Sequence, residues 1–338
     1  MKRTIFILVF IVSILFGSSY QQFRHFDTTD PRGMKDSVSY INMSQGEYDV
    51  KPVHKYRFAI PYLAGEIDKL ILSINPKLDN KNNISIRLSF YIINFIMLTF
   101  SAYLLFLILE FYKFNTLTSL VGLSIFLSSR VVVYSTATPL VDSFYILSLT
   151  SIFYLMIRHK VLRLAIVLPI LIISKETILP FLFLPLILAV FRNKIYYISI
   201  VLSILVFVFS RKYIDLNSNV NIIEQLSFIE VISYHFEYLK NNVLQLLTFK
   251  SFFDFIHGFS LFLIFALHGA YINYKKKIYN LPNTIFIAIF LVSILFVFLS
   301  GNFGRMLFTA YIPIIVYILI SIEYLAQHMF VDNHVENQ

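Results

Sequence analysis

The sequence contains no cysteine and no tryptophan, only nine glycines, and charge on only 14% of its 338 residues. The missing cysteine excludes disulfides and thiol nucleophiles and leaves the compartment open. Without tryptophan, an interfacial aromatic belt must be built from the 22 tyrosines and from phenylalanine. No glycine-rich phosphate loop or dinucleotide fingerprint is present, and neither a His-x-x-His metal pair nor a Gly-x-Ser-x-Gly elbow occurs. The scarcity of charge excludes most. A soluble domain is roughly 25% charged and about 45–50% apolar, whereas 58% of this chain is hydrophobic and its mean hydropathy is +0.74. A soluble fold could not cover that much apolar surface. Lipid is the expected solvent, and the expected fold class is all-α, a polytopic transmembrane helical bundle. The net charge of +9 sits in short basic runs between apolar segments, the pattern of cytoplasmic loops, so no nucleic-acid partner is expected.

A spanning helix needs about 20 mostly apolar residues. The candidates are 4–20, 88–112, 116–135, 140–157, 161–175, 177–192, 195–211, 257–274, 283–300 and 306–326, ten spans in all. The segments 161–175 and 177–192 are short and closely joined, and a re-entrant pair is the alternative there. With the N-terminus inside, the short inner connections collect Lys2, Arg3, Lys113, Arg158, Lys160, Arg163, Arg192, Lys194 and Lys275 to Lys277, while fifteen of the nineteen acids fall outside. Both termini are then cytoplasmic. The expected organisation is one transmembrane domain over 1–326 with a cytoplasmic tail at 327–338. The first segment has a second reading as a signal peptide cleaved near Gly17-Ser18-Ser19.

Two outer loops are long, at about 21–87 and 212–256. In the first, 37–45 reads as a helix with Asp36 at its N-cap and Gly46 as its stop. The stretch 60–74 reads as a surface helix whose Ile60, Leu63, Ala64, Ile67, Leu70, Ile71 and Ile74 share a face, ended by Asn75-Pro76. In the second, apolar residues from Ile222 to Leu246 recur at helical spacing, which predicts an amphipathic helix lying on the outer face.

Polar residues at the outer helix ends are the functional candidates, because charge near a membrane is costly. They are Asp27, Asp30, Asp36, Tyr40, Lys55, Arg57, Arg130, Asp142, Lys175, Glu176 and Arg305. Asp36 suits a general base, a metal ligand or a helix cap. Tyr40 lies one turn later on the same face. Lys55 and Arg57 suit phosphate oxygens or lipid headgroups. Asp142 sits at a helix start, where a carboxylate also favours the helix dipole. Lys175 and Glu176 form either a local ion pair or a phosphate contact. Arg305 follows a glycine at a helix start, where a cation is unfavourable unless an anion joins it. The histidines, among them His54, His235, His257 and His268, have no metal-like spacing and read as structural or interfacial.

In order along the chain, four motifs resemble those of the GT-C superfamily of integral membrane glycosyltransferases. They are Asp36-Ser37-Val38-Ser39-Tyr40; Tyr56-Arg57-Phe58-Ala59-Ile60-Pro61; Thr138-Pro139-Leu140-Val141-Asp142 with Lys175-Glu176-Thr177; and Gly304-Arg305, with Pro313 in the last span. The resemblance covers 1–326, and Ser37 stands where much of the superfamily has a second acid. It implies transfer of a sugar from a polyprenyl-phosphate donor to a surface glycan, lipid or protein acceptor, at an extracytoplasmic site in the cytoplasmic (inner) membrane. Asp36 would be the catalytic base or align the acceptor. Arg57, Lys175 and Arg305 would hold the donor phosphate, with Tyr40, Asp142 and Glu176 also in the substrate site. No organic cofactor is implied, and a divalent cation is left open. Two other classes fit a polytopic chain. A polysaccharide polymerase or ligase would also use lipid-linked sugars. A lipid-linked substrate transporter or flippase would want polar residues at mid-membrane.

Overall fold

A computed structural model describes residues 2–27, 35–78, 83–217, 239–245, 248, 253, 258–277, 279, 281–299 and 303–335. Among these every regular element is a helix. Four helical segments are long and apolar enough to cross a membrane: Lys2–His25, Ile84–Phe111, Lys194–Leu216 and Phe303–His328. The bent pair Thr116–Ser128 and Arg130–Ala137 makes a fifth if taken as one span. Asp142–Ile157, Val161–Ser174, Glu176–Ile187 and Asn283–Leu299 are apolar but shorter. By length and composition the described residues thus supply four or five membrane-capable helices against the ten segments expected from hydropathy. The amphipathic helix expected from Ile222 to Leu246 lies outside the described residues except for a helical stretch at 239–245.

The chain divides into two compact units, Met1–Leu104 with Val132–Gln225 and Leu105–Val131 with Leu226–Gln338. The first contains helices α1 (Lys2–His25), α2 (Lys35–Ser44), α3 (Pro52–Lys55), α4 (Ala59–Ile74) and the start of α5 (Ile84–Phe111). After α6 (Thr116–Ser128), α7 (Arg130–Ala137) leads back into it, followed by α8 (Asp142–Ile157), α9 (Val161–Leu171) and α10 (Lys194–Asn217). Helix α1 runs unbroken through Gly17-Ser18-Ser19 and buries Ile7, Ile11, Leu15 and Ser19, one residue per turn. The Ser19 hydroxyl lies 3.0 Å from the Tyr91 hydroxyl on α5. Wholly buried Asn94 donates to the carbonyls of Thr138 (3.2 Å) and Leu140 (3.1 Å) and accepts from the Ser143 hydroxyl. That one side chain bonds the unwound link ahead of α8, beside the Leu140 N–H that also reaches the Thr138 carbonyl at 2.7 Å, and so helps fix where Asp142 begins the helix.

The segment expected as a span over 177–192 is no α-helix. It is a series of 3-10 turns, Glu176–Leu182, Leu184–Ile187 and Ala189–Phe191. Pro180 and Pro185 lack the N–H that an α-helix needs and obstruct the preceding turn. The turns are tied down by Tyr196, which donates to the Leu182 carbonyl at 2.8 Å. Two boundaries in the first outer loop follow expectation: Gly46 adopts φ +89 just past α2, and Asn75 caps α4 at φ −140. Asp36 departs from it. Helix α2 begins at Lys35, so Asp36 lies inside the first turn rather than at the N-cap.

The second unit contains α6 and the helices α11 (Phe262–Lys276), α12 (Asn283–Leu299), α13 (Phe303–Leu307) and α14 (Tyr311–Val335). Helix α14 continues through residue 327, where a tail was expected to begin. Asn115 caps α6 by accepting from the Thr118 N–H at 2.8 Å. Helices α11 and α14 touch backbone to backbone. A Cβ at Gly269 would lie 1.8 Å from the Tyr317 carbonyl oxygen, and His268 Nδ1 sits 2.8 Å from Ser321 Oγ one turn further along α14.

Alanine normally stabilises a helix interior relative to glycine by about 1 kcal/mol. At Gly269 the obstacle is backbone and cannot swing aside, so Gly269→Ala is expected to destabilise the fold, by roughly 1–3 kcal/mol as for other overpacked sites. Gly17→Ala, with nothing within 4 Å of the added Cβ, is the control that should hold or gain stability. Thermal melts of the purified proteins in detergent would contradict this close approach if the two variants shifted alike.

Candidate functional site

Of the seven residues that the resemblance assigns to the site, Asp36, Tyr40, Arg57, Asp142, Lys175 and Glu176 fall in the first unit, and Arg305 falls in the second, on α13. In the first unit a short strap of chain, His54 to Arg57, does most of the gathering. Its single helical turn, α3, starts with Pro52 at a position where proline's fixed φ and missing N–H are tolerated. Backbone bonds from His54 and Lys55 to the Lys51 carbonyl (2.8 and 3.1 Å) and from Arg57 to the His54 carbonyl (2.9 Å) keep it wound. Each residue in a helical turn is rotated about 100° from the last, so the strap's side chains leave it in different directions, with Lys55 and Tyr56 meeting again on one acid.

Their targets are all acids or a phenol. His54 Nε2 lies 3.3 Å from Asp36 Oδ1. Lys55 Nζ donates to Asp215 at 2.7 Å, and the Tyr56 hydroxyl donates to the same carboxylate at 3.0 Å. Arg57 grips Glu176 through two nitrogens, Nε at 3.2 Å and the terminal NH2, and its other terminal nitrogen donates to the Tyr40 hydroxyl at 3.2 Å. A bidentate guanidinium–carboxylate pair fixes geometry as well as charge. The strap thereby joins α2, the break before Glu176 and the end of α10.

Lys175 and Glu176 reach different partners because of the backbone between them. Lys175 is extended, at φ −171 and ψ 147, where α9 and its 3-10 extension have ended. Neighbouring side chains of extended backbone point apart. Lys175 turns to Asp142 (3.1 Å), with both side chains 4% exposed, and lies over the Tyr145 ring at 5.5 Å. Glu176 turns to Arg57, with Arg211 4.0 Å away. Arg211 and Asp215 are four residues apart on α10 and share a face. The Arg211 guanidinium rests on the rings of Tyr56 (4.5 Å) and Phe207 (4.1 Å), and its Nε is buried with no hydrogen-bond partner.

The cluster holds four carboxylates, Asp36, Asp142, Glu176 and Asp215, against the four cations Lys55, Arg57, Lys175 and Arg211. Burial alone would raise the Glu176 carboxyl, but the Arg57 guanidinium overrides it and holds it below its ordinary value. Burial works against the Arg57 charge, and Tyr40 and Glu176 more than offset it, so its proton is held more firmly than usual. The Tyr56 phenol is pushed up, first by burial and then by its bond to Asp215. Among the described residues no three His, Asp or Glu side chains converge as a metal site.

Of the other polar residues noted in the sequence, Lys55 belongs to the strap. Asp27 lies near Arg87, which donates to the Phe23 carbonyl and covers the Phe23 and Phe26 rings. Arg130 is exposed at the start of α7, and Asp30 lies outside the described residues. Sequence reasoning passed over Arg211, Asp215 and His54. The signal for the first two was an Arg-x-x-x-Asp spacing at the end of an apolar run. His54 gave none, since its partner is eighteen residues away across a loop. No family model matches the sequence, and comparison with curated proteins and with solved structures finds no match.

The Glu176 shift has a definite consequence. A carboxylate whose folded pKa is depressed adds stability at and above the ordinary carboxylate range, and that stability is lost as pH falls through the folded value. Wild-type protein should therefore lose melting temperature on acidification below pH 4.5, the ordinary value for this group. Glu176→Gln should be less stable at neutral pH and lose less on acidification. Parallel melting curves for the two proteins across that range would remove Glu176 from the account.

Proposed function

We propose that the chain is an integral membrane glycosyltransferase, moving a sugar from a polyprenyl-phosphate donor to an acceptor hydroxyl on the extracytoplasmic side of the cytoplasmic membrane. The reading includes about ten spans, shorter segments crossing with help from their neighbours, and both termini inside. It also keeps the amphipathic helix over Ile222 to Leu246 at the outer surface. The motif resemblance to the GT-C superfamily is its starting point.

The observation that carries it is Asp36. Its side chain is 37% exposed, while the His54 against it is 7% exposed and the neighbouring Tyr40 and Arg57 are buried. An accessible carboxylate backed by a buried, charge-compensated cluster suits a base that meets a substrate from one side. Apolar side chains of similar size would hold helices together as well as buried ion pairs do. Retaining eight formal charges in so apolar a chain therefore favours a chemical role.

In this reading the acceptor hydroxyl gives its proton to Asp36 as its oxygen forms a bond to the anomeric carbon. The bond from that carbon to the phosphate oxygen breaks, and its electron pair leaves on the polyprenyl phosphate. A guanidinium at the departing phosphate stabilises that charge. Arg211 is the residue of the cluster best suited, because its charge rests on two rings rather than in a close fork with a carboxylate. Arg57 and Lys175 are committed to Glu176 and Asp142 and act on the geometry of the site.

The test is mass profiling of surface glycans and glycolipids in a deletion strain and in that strain carrying wild type or Asp36→Asn. Loss of one fixed sugar mass in both the deletion and the Asp36→Asn strain is the expected result. Collapse of chain length with an intact repeat unit would assign a polymerase or ligase instead. An unchanged profile with the gene expressed would turn the search to lipid-linked substrate transport.

A further inference from the structure

Resting on that reading, the geometry points to His54 as a positioning residue for Asp36: a buried imidazole that donates its Nε2 proton to the carboxylate and fixes the oxygen that meets the acceptor. No motif marks His54. It stands on three features of the structure.

The first is the contact itself. Nε2 faces Asp36 Oδ1 at 3.3 Å, and a ring nitrogen that faces a carboxylate carries a proton, because two lone pairs would repel. The second is the asymmetry of burial, 7% for the His54 side chain against 37% for Asp36. The imidazole lies behind the acid and the acid stands toward the open side, so His54 orients and Asp36 reacts. The third is the enclosure. The Tyr40 ring lies 5.2 Å from the imidazole and tilted by 45°, and the Tyr40 hydroxyl is held by Arg57. His54 Nδ1 is buried with no hydrogen-bond partner. A proton there would have no acceptor, which favours the neutral Nε2–H tautomer. The ring is held by the tilted Tyr40 ring on one turn of α2 and by the Asp36 carboxylate on the turn before it.

A carboxylate that swings freely presents a proton-accepting oxygen to the acceptor for only part of the time, and misplacement of a base by even an ångström is costly. A donor at Nε2 limits that freedom at Oδ1 without neutralising Asp36. Glutamine at position 54 can also donate from a side-chain N–H. Phenylalanine keeps the ring contact with Tyr40 and donates nothing.

The experiment has two arms. In the complemented deletion strain, with surface glycans and glycolipids profiled by mass, His54→Gln is expected to keep a substantial fraction of the transferred sugar. His54→Phe is expected to lose at least tenfold while melting within a few degrees of wild type after purification. Equal glycan levels in His54→Phe and wild type overturn the proposal, and so does equal loss in both variants. In the second arm, ring-15N histidine NMR of the purified chain in micelles, with the His54 signal identified by its disappearance in His54→Gln, should show an Nε2-protonated neutral ring. An Nδ1-protonated ring overturns the proposal even if His54→Phe fails to fold. The two readings fail separately: Asp36→Asn that keeps the sugar defeats the transferase, whereas Asp36→Asn that loses it beside an indifferent His54→Phe defeats only His54.

Discussion

The need to compensate charge in an apolar chain governs the first unit. A charge removed from water has to be paired or hydrogen-bonded, because an isolated one costs several kcal/mol even after relaxation. The strap from His54 to Arg57 meets that need for three parts of the chain at once. It sets an imidazole against Asp36 on α2, a lysine and a phenol against Asp215 on α10, and a guanidinium fork against Glu176 at the break after α9. Each of those segments gains its partner from the same four residues, so moving the strap would expose several charges together. Lys175 and Asp142 close a second pair deeper in the unit.

Backbone irregularity makes this possible. Regular helix would have carried Lys175 and Glu176 round in 100° steps, whereas the extended residue at 175 sends them to separate partners. Asn94 holds the unwound link before α8 and so sets the position of Asp142. At Gly65 the α4 backbone comes so near α2 that a Cβ would lie 2.2 Å from the Ser44 carbonyl oxygen. That close approach holds α4, and the strap leading into it, beside the helix that carries Asp36 and Tyr40.

The helices were legible where hydropathy and punctuation agreed. The segments around α5, α8, α10 and α12 stood out as apolar runs, and Gly46 and Asn75 marked helix ends through their backbone preferences. The stretch after Glu176 was expected as a span or half of a re-entrant pair, and its 3-10 winding was not legible, because hydropathy averages over composition and ignores that Pro180 and Pro185 cannot donate within a helix. For the site, sequence gave the residue types and left the pairing open. Asp36, Arg57, Lys175 and Glu176 were conspicuous as charges in apolar surroundings, but which acid met which cation depends on side-chain direction at one extended residue and one helical turn. Arg211 and Asp215 were hidden by a segment boundary, since the apolar run ended at the residue where their spacing began. His54 was hidden by its ordinariness, as a histidine without a metal-like neighbour.

The central claim is that the charge cluster is kept for chemistry rather than for stability. Replacing Arg57 and Glu176 together by Met and Leu tests it most directly, because a well-packed apolar pair is often neutral or stabilising in place of a buried ion pair. The measurement is the surface-glycan mass profile of a deletion strain complemented with this double variant, on protein shown to melt no lower than wild type. The account predicts a stable protein and loss of the transferred sugar. A stable double variant that restores the full wild-type glycan profile would contradict it.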